Sequence, residues 1–230
     1  MLHLKKEISV GHSHVFFAVT REVNPTEHWY LVRFAKTGSV RFLSQHDVRR
    51  TWERATRRGN LPLAYSRGFN PKPRLSFGPP LSVGAEGRRE FMTMALREPL
   101  NAALVYEQLR DAAVPGMSVI EVSSVPGRRV QLTWGSYELL VADRPLDLPL
   151  RLDQLLKSTS VLISRPRDPE GRLREIRPGV GDLKLSGPDR IQARLKLASN
   201  EIVTPRDLAL ALNIEFLSTI RIDIAFAHNG

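Results

Sequence analysis

The chain has no cysteine in its 230 residues. That excludes disulfide frameworks, thiolate metal sites and cysteine ligation of an iron–sulfur cluster from anything the chain does alone, and it fits a reducing, cytoplasmic setting. Long apolar runs are missing as well. No stretch approaches the ~20 residues that cross a bilayer, so no membrane partner is expected. The opening MLHLKKEISVGHSHVFFAVTREVNPTEH has a short apolar patch at Val15–Val19 but no uninterrupted core of the signal-peptide kind. Residues 1–28 read as an N-terminal extension of unassigned order. Metal-ligand clusters are absent too. The six histidines are scattered, with His12 and His14 two apart and none joined to a carboxylate at ligand spacing. Neither a metal nor another cofactor is expected.

Acid is scarce in one place. Residues 41–77 hold Arg41, Arg49, Arg50, Arg54, Arg57, Arg58, Arg67, Lys72 and Arg74 against Asp47 and Glu53, a local +7 within a total of +10. Charge concentrated in this way attracts polyanions more selectively than the same charge spread evenly. Inside this segment, SRGFNPKPRLSFGPP (66–80) has four prolines, two glycines, two phenylalanines and no acid. It cannot be a helix, and its prolines lower the entropy lost when a loop takes hold of a ligand.

The patterning predicts an α+β protein in two similar halves, 29–127 and 128–230. Each half is an antiparallel sheet covered by helices, ferredoxin-like or RRM-like in layout, and the pair together is pseudouridine-synthase-like. In the first half, 29–44 reads as a strand, a Thr37–Gly38 turn and a second strand with Val40 and Phe42 on one face. Ser44 opens a helix to Arg58, with Asp47 in the capping position and Val48, Trp52 and Ala55 as its apolar seam. LPLAYS is a short strand, 66–80 a loop, 89–98 a strand, and 101–114 a helix with Leu104, Leu109 and Val114 inward. A strand over 116–125 closes this half. The second half has strands at 130–142, 160–167, 190–199 and 218–227, with helices at 150–158 and 204–213, the latter capped by Thr204 with Pro205 in its first turn.

The arginines of helix 45–58 lie off its apolar seam. A solvated helix usually mixes signs at i, i+4, whereas this one sets like charges beside one another, which an anion would screen. Guanidinium groups bond phosphate oxygens bidentately, and phenylalanines between cations suit the stacking of single-stranded bases. The predicted contact residues are Arg50, Arg54, Arg57, Arg58, Arg67, Phe69, Lys72 and Arg74. Phe77 is divided evenly between a stacking surface and the core. Asp47 is the one candidate for a catalytic carboxylate, set among arginines, but a cap at the third helical position already explains it. Glu90, after a Gly-rich turn, reads as a salt-bridge partner.

The block VRFAKTGSVRFLSQHDVRRTWERATRRGNLPLAYSRGFNPKPRLSFGPPLSVGAEGRREFMTMAL resembles the radical-SAM-linked family known as DUF2344, in its free-standing form. The resemblance lies in a Lys-x-Gly hairpin, Phe-Leu-Ser followed by an Asp, an Arg-Arg helix end, Ser-x-Gly-Phe-Asn-Pro, and Pro-Leu-x-x-Gly leading to a Glu. SRPRDPEGRLREIRPGV looks like its second-half block. This chain departs from the pattern at Gln45 and Lys72, where the family favours His, and at Gly87, where it favours Ser. Gln and Lys cannot do the acid–base or metal chemistry of His. The resemblance implies a radical-SAM partner but no mechanism. The reading that emerges is a non-catalytic RNA-binding or substrate-presenting accessory protein. An RNA-modifying enzyme using Asp47 and an adaptor docking an acidic partner surface are the alternatives.

Overall fold

The computed structural model describes residues 6–10, 13–17, 27–143, 145–166, 168–198 and 202–227. The N-terminal extension therefore lies largely outside the described residues, apart from an antiparallel hairpin of β1 (Lys6–Val10) and β2 (Ser13–Phe17). The chain divides into two compact units, Met1–Gln131 with Phe226–Gly230, and Leu132–Ala225. Both are α+β.

In the first unit β3 (His28–Lys36) is flanked by two antiparallel neighbours, β5 (Glu86–Leu96) and β6 (Met117–Val125). Its WYLVRFA run is aromatic and β-branched, as a strand buried on both faces requires. One face carries Tyr30, Val32 and Phe34 into a core with Trp52, Met92, Met94, Val105 and Leu109. On the other face Arg33 lies over Phe226, 4.1 Å from the ring centroid, and Phe226 meets Phe91 edge-on. α1 (Gln45–Arg58) buries Val48, Trp52 and Ala55, and α2 (Ala102–Ala112) buries Val105, Leu109 and Ala112. The two helices approach so closely that a Cβ on Gly59 would stand 2.8 Å from the Gln108 carbonyl oxygen. Only glycine ends α1 there without moving backbone.

Four local expectations change. Residues Gly38–Phe42 form a 3-10 helix rather than a strand. Both edges of β3 are already taken by β5 and β6, and Gly38 adopts φ +64°. LPLAYS contributes only isolated bridges, Leu63 to Leu96 and Tyr65 to Pro73. The loop expected over 66–80 contains β4 (Leu75–Phe77), paired with β5. In α2, Leu104 faces solvent and Val105 takes the inward position, while Leu109 is buried as expected.

In the second unit, β7 (Leu132–Val141), α3 (Leu148–Lys157), β8 (Leu162–Ile163), β9 (Arg174–Glu175), β10 (Val180–Leu185), β11 (Arg190–Lys196), α4 (Pro205–Leu212) and β12 (Phe216–Phe226) follow in order. The sheet runs β10-β11-β7-β12, and Phe226 at the end of β12 counts with the first unit. Tyr137, Leu139, Ile191 and Leu195 pack under Leu148, Leu152 and Leu155 of α3 and Leu208 and Leu212 of α4. Thr204 and Asp207 form a reciprocal capping box at α4. The buried Asp207 also takes a bidentate pair from Arg165, both contacts at 2.7 Å. The strand expected over 160–167 shrinks to β8, because the segment after it is held by Arg165–Asp207 and Arg174–Asp168 rather than by a ladder. Residues 180–185 form β10, which the sequence did not announce. In the REIRP run, Arg177 donates to the carbonyls of Leu156, Ser158 and Val180, so it closes the C-terminal end of α3.

Candidate anion-binding surface

α1 starts where Ser44, in extended conformation, accepts the Asp47 N–H at 3.2 Å and donates its hydroxyl to the Asp47 carboxylate at 2.6 Å. That hydroxyl holds Asp47 below the usual carboxylate range; lost hydration opposes the shift, and the Ser44 backbone N–H, His46 and Arg50 add to it. The carboxylate is thus occupied as a helix cap.

From that start the helix sends Arg50, Arg54 and Arg57 to the face opposite Val48, Trp52 and Ala55. Their spacing of i, i+4 and i+7 places the three in one row. All three are exposed, and none makes an ion pair or side-chain hydrogen bond among the described residues. Glu53, the acid nearest in sequence, pairs with none of them. Arg58 is different: its guanidinium donates to the carbonyl of Ala112 at the C-terminal end of α2, where a cation also meets the negative end of the helix dipole. Arg49 turns the other way, donating to the Leu75 carbonyl at 3.1 Å and lying over Phe77.

The second element is the loop between Tyr65 and Pro73. It is closed at its base by the bridge between those two residues. Ser66 N–H donates to the Lys72 carbonyl and Lys72 N–H to Ser66 Oγ, each at 2.9 Å. Gly68 has φ +122°, which turns the chain at the tip. Phe69 stands fully in solvent at 106% exposure, so it plays no part in the core. Phe77 does, packing against the first core beneath Arg49. Arg67 and Lys72, on either side of Phe69, are exposed and without an ion pair among the described residues. Arg74, beyond the loop, is half-buried: it faces Glu27 at 3.0 Å, misaligned for a hydrogen bond, and lies over Trp29.

The eight predicted contact residues therefore sort by partner. Arg50, Arg54, Arg57, Arg67, Phe69 and Lys72 are presented to solvent, while Arg58 and Arg74 hold the fold. Among the described residues no hydrogen bond, ion pair or ring contact joins the arginine row to loop 66–72; Arg49 of α1 reaches β4 instead, at Leu75 and Phe77. Lys36 and Arg41 are not among the predicted contact residues. Lys36 is buried and donates to the Leu43 carbonyl at 3.0 Å. Arg41 pairs with Glu86 at 3.5 Å and lies over the exposed ring of Phe42. At Gly87 a Cβ would stand 2.4 Å from Glu90 Oε1 and 2.5 Å from its Cγ. The glycine lets Glu90 fold back over the strand, a placement that a Ser there would displace.

Among the described residues no three His, Asp, Glu or Cys side chains converge as metal ligands, and no helix is long and apolar enough to cross a membrane. The arrangement is that of an α+β protein whose first unit presents Arg50, Arg54, Arg57, Arg67 and Lys72 to solvent. The chain belongs to the DUF2344 family, described as an uncharacterized protein conserved in bacteria, whose model matches residues 29–205. No curated protein matches it. A solved structure, the crystal structure of a Cbf5-Nop10-Gar1 complex, is similar at 12% identity over 85% of this chain and 48% of that one, with a TM-score of 0.40. The chain thus spans about half of the matched structure. At that identity and TM-score the likeness carries no assignment of function.

Proposed function

We propose that this protein is a non-catalytic RNA-binding or substrate-presenting accessory factor that acts with a separate radical-SAM enzyme. The observation that carries the reading is the row of Arg50, Arg54 and Arg57, exposed and without an ion pair or side-chain hydrogen bond among the described residues. Three like charges along one helix face repel one another, so the arrangement costs free energy until a polyanion neutralises it. The exposed Phe69 between Arg67 and Lys72 favours single-stranded RNA over an acidic protein surface, because stacking on a free ring needs a planar base. Asp47 is read as a helix cap, in keeping with the Ser44 hydroxyl that its carboxylate accepts. The radical-SAM partner is inferred from the family resemblance. With no cysteine in this chain, the cluster would belong to that partner.

The test is affinity purification of the tagged protein from cells, with and without nuclease treatment. RNA should co-purify, and its loss on nuclease treatment should release whatever is held through it. A radical-SAM protein retained after nuclease, with no RNA in the untreated sample, would show that the basic face docks a protein instead.

A further inference from the structure

The sheet of the second unit has both its helices on one face. The opposite face presents Ser136 and Glu138 from β7, Gln192 and Arg194 from β11, and Asp182 and Lys184 from β10, which line a groove of about 660 Å³. Ile222 and, from α3, Leu156 add apolar side chains to the lining. A groove of this size accepts a ligand as large as a nucleoside.

Its chemistry favours a base and a phosphate. The Arg194 guanidinium lies over Trp134, 5.3 Å from the ring centroid, while about half of its side chain remains exposed. An arginine backed by an indole offers its outer face to another planar group. Among the described residues its only acid is Asp182 at 3.9 Å, too far for a hydrogen bond. Gln192 sits opposite Glu138 on one side and Lys184 on the other in the strand register. The amide thus brings donors and an acceptor into the middle of the face, where the edge of a base would lie. Glu138 is neutralised by Arg190 at 2.8 Å, whereas Lys184 is exposed and has no ion pair among the described residues.

We propose that this groove is a second RNA site, one that holds a single unpaired nucleobase stacked on Arg194 with an adjoining phosphate on Lys184. The inference rests on the RNA reading above and adds to it a site that the arginine-rich segment does not contain.

The experiment titrates fluorescent oligouridine and oligoadenosine decamers against the full chain and its variants at several salt concentrations. Arg194→Lys keeps the charge and removes the planar face, so affinity falls about tenfold with the salt slope unchanged. Lys184→Ala makes the salt slope shallower by about 0.7. Both positions are exposed, and thermal unfolding of each variant verifies the fold. In parallel, adenosine monophosphate added to the wild type shifts the backbone amide signals of Gly181, Lys184 and Arg194. If Arg194→Lys and Lys184→Ala bind the decamers as the wild type does, while Arg54→Ala with Arg57→Ala binds more weakly, the groove proposal is overturned and the RNA reading stands. If no decamer binds the wild type even at low salt, both fall. Amide shifts confined to residues outside β10 and β11 would also overturn the groove site.

Discussion

Replacing Arg54 and Arg57 together by alanine separates phosphate binding from a merely basic surface. Both side chains point away from the Val48–Trp52–Ala55 seam and make no hydrogen bond, ion pair or ring contact among the described residues. Alanine is also the better helix former, so stability should stay within about 0.5 kcal/mol of the wild type. The unpaired cations of the surface are Arg50, Arg54, Arg57, Arg67 and Lys72, and if each meets one phosphate the contacts number five. For a single strand, log affinity falls with log salt at about −0.7 per neutralised phosphate, giving slopes of about −3.5 for the wild type and about −2.1 for the double variant. Between about 50 and 200 mM salt that is a loss of about 130-fold against about 18-fold. Fluorescence anisotropy with a labelled single-stranded RNA at four salt concentrations measures both slopes. Equal slopes for the two proteins would refute the assignment of these arginines to phosphate.

Other changes test neighbouring parts of the account. Phe69→Ala should leave thermal stability unchanged, because the ring is fully exposed. It should weaken single-stranded RNA binding by about 1–3 kcal/mol without altering the salt slope, as calorimetry or anisotropy would show. Ser44→Ala removes the cap of α1 and should lower stability by about 1 kcal/mol in urea unfolding. Asp47 has a folded pKa below its unfolded one, so its stabilisation is complete above the ordinary carboxylate value near 3.8 and is lost as pH falls below it. Asp47→Asn should therefore flatten part of the acid limb of a melting-temperature profile and leave neutral-pH RNA affinity intact, where a catalytic Asp47 would instead lose turnover. Gly59→Ala forces a Cβ against the Gln108 carbonyl and should cost about 1–3 kcal/mol, again read by urea unfolding.

The parts of the fold that local chemistry specifies were legible in the sequence. Ser44 with Asp47, and Thr204 with Pro205, mark helix starts through side-chain-to-backbone bonds that act within four residues. The seam Val48–Trp52–Ala55 likewise reports which face of α1 is inward. What distant partners decide was not legible. Val40 and Phe42 alternate as a strand would, but β3 finds its neighbours in β5 and β6, far along the chain, leaving 38–42 to coil into a 3-10 turn. Leu104 and Val105 are adjacent apolar residues, and only the packing of α2 chooses between them.

The candidate surface divides in the same way. The exposed arginines follow from the helical period, since no hydrogen bond or ion pair engages their side chains among the described residues. Arg58 and Arg74 sit in the same basic run, yet each is held by a remote partner, the Ala112 carbonyl and Glu27. Phe69 and Phe77 are equivalent by composition. They differ because β4 pairs with β5 and carries Phe77 to the core, whereas the Gly68 turn leaves Phe69 at the tip of the loop.

Ultraviolet cross-linking of RNA to the protein in living cells, followed by mass spectrometry of the adducts, tests the central claim most directly. The account predicts nucleotide adducts on the peptide carrying Phe69, lost when Arg50, Arg54 and Arg57 are all replaced by glutamate. A protein recovered in good yield and free of adducts on α1 and loop 66–72 would contradict it.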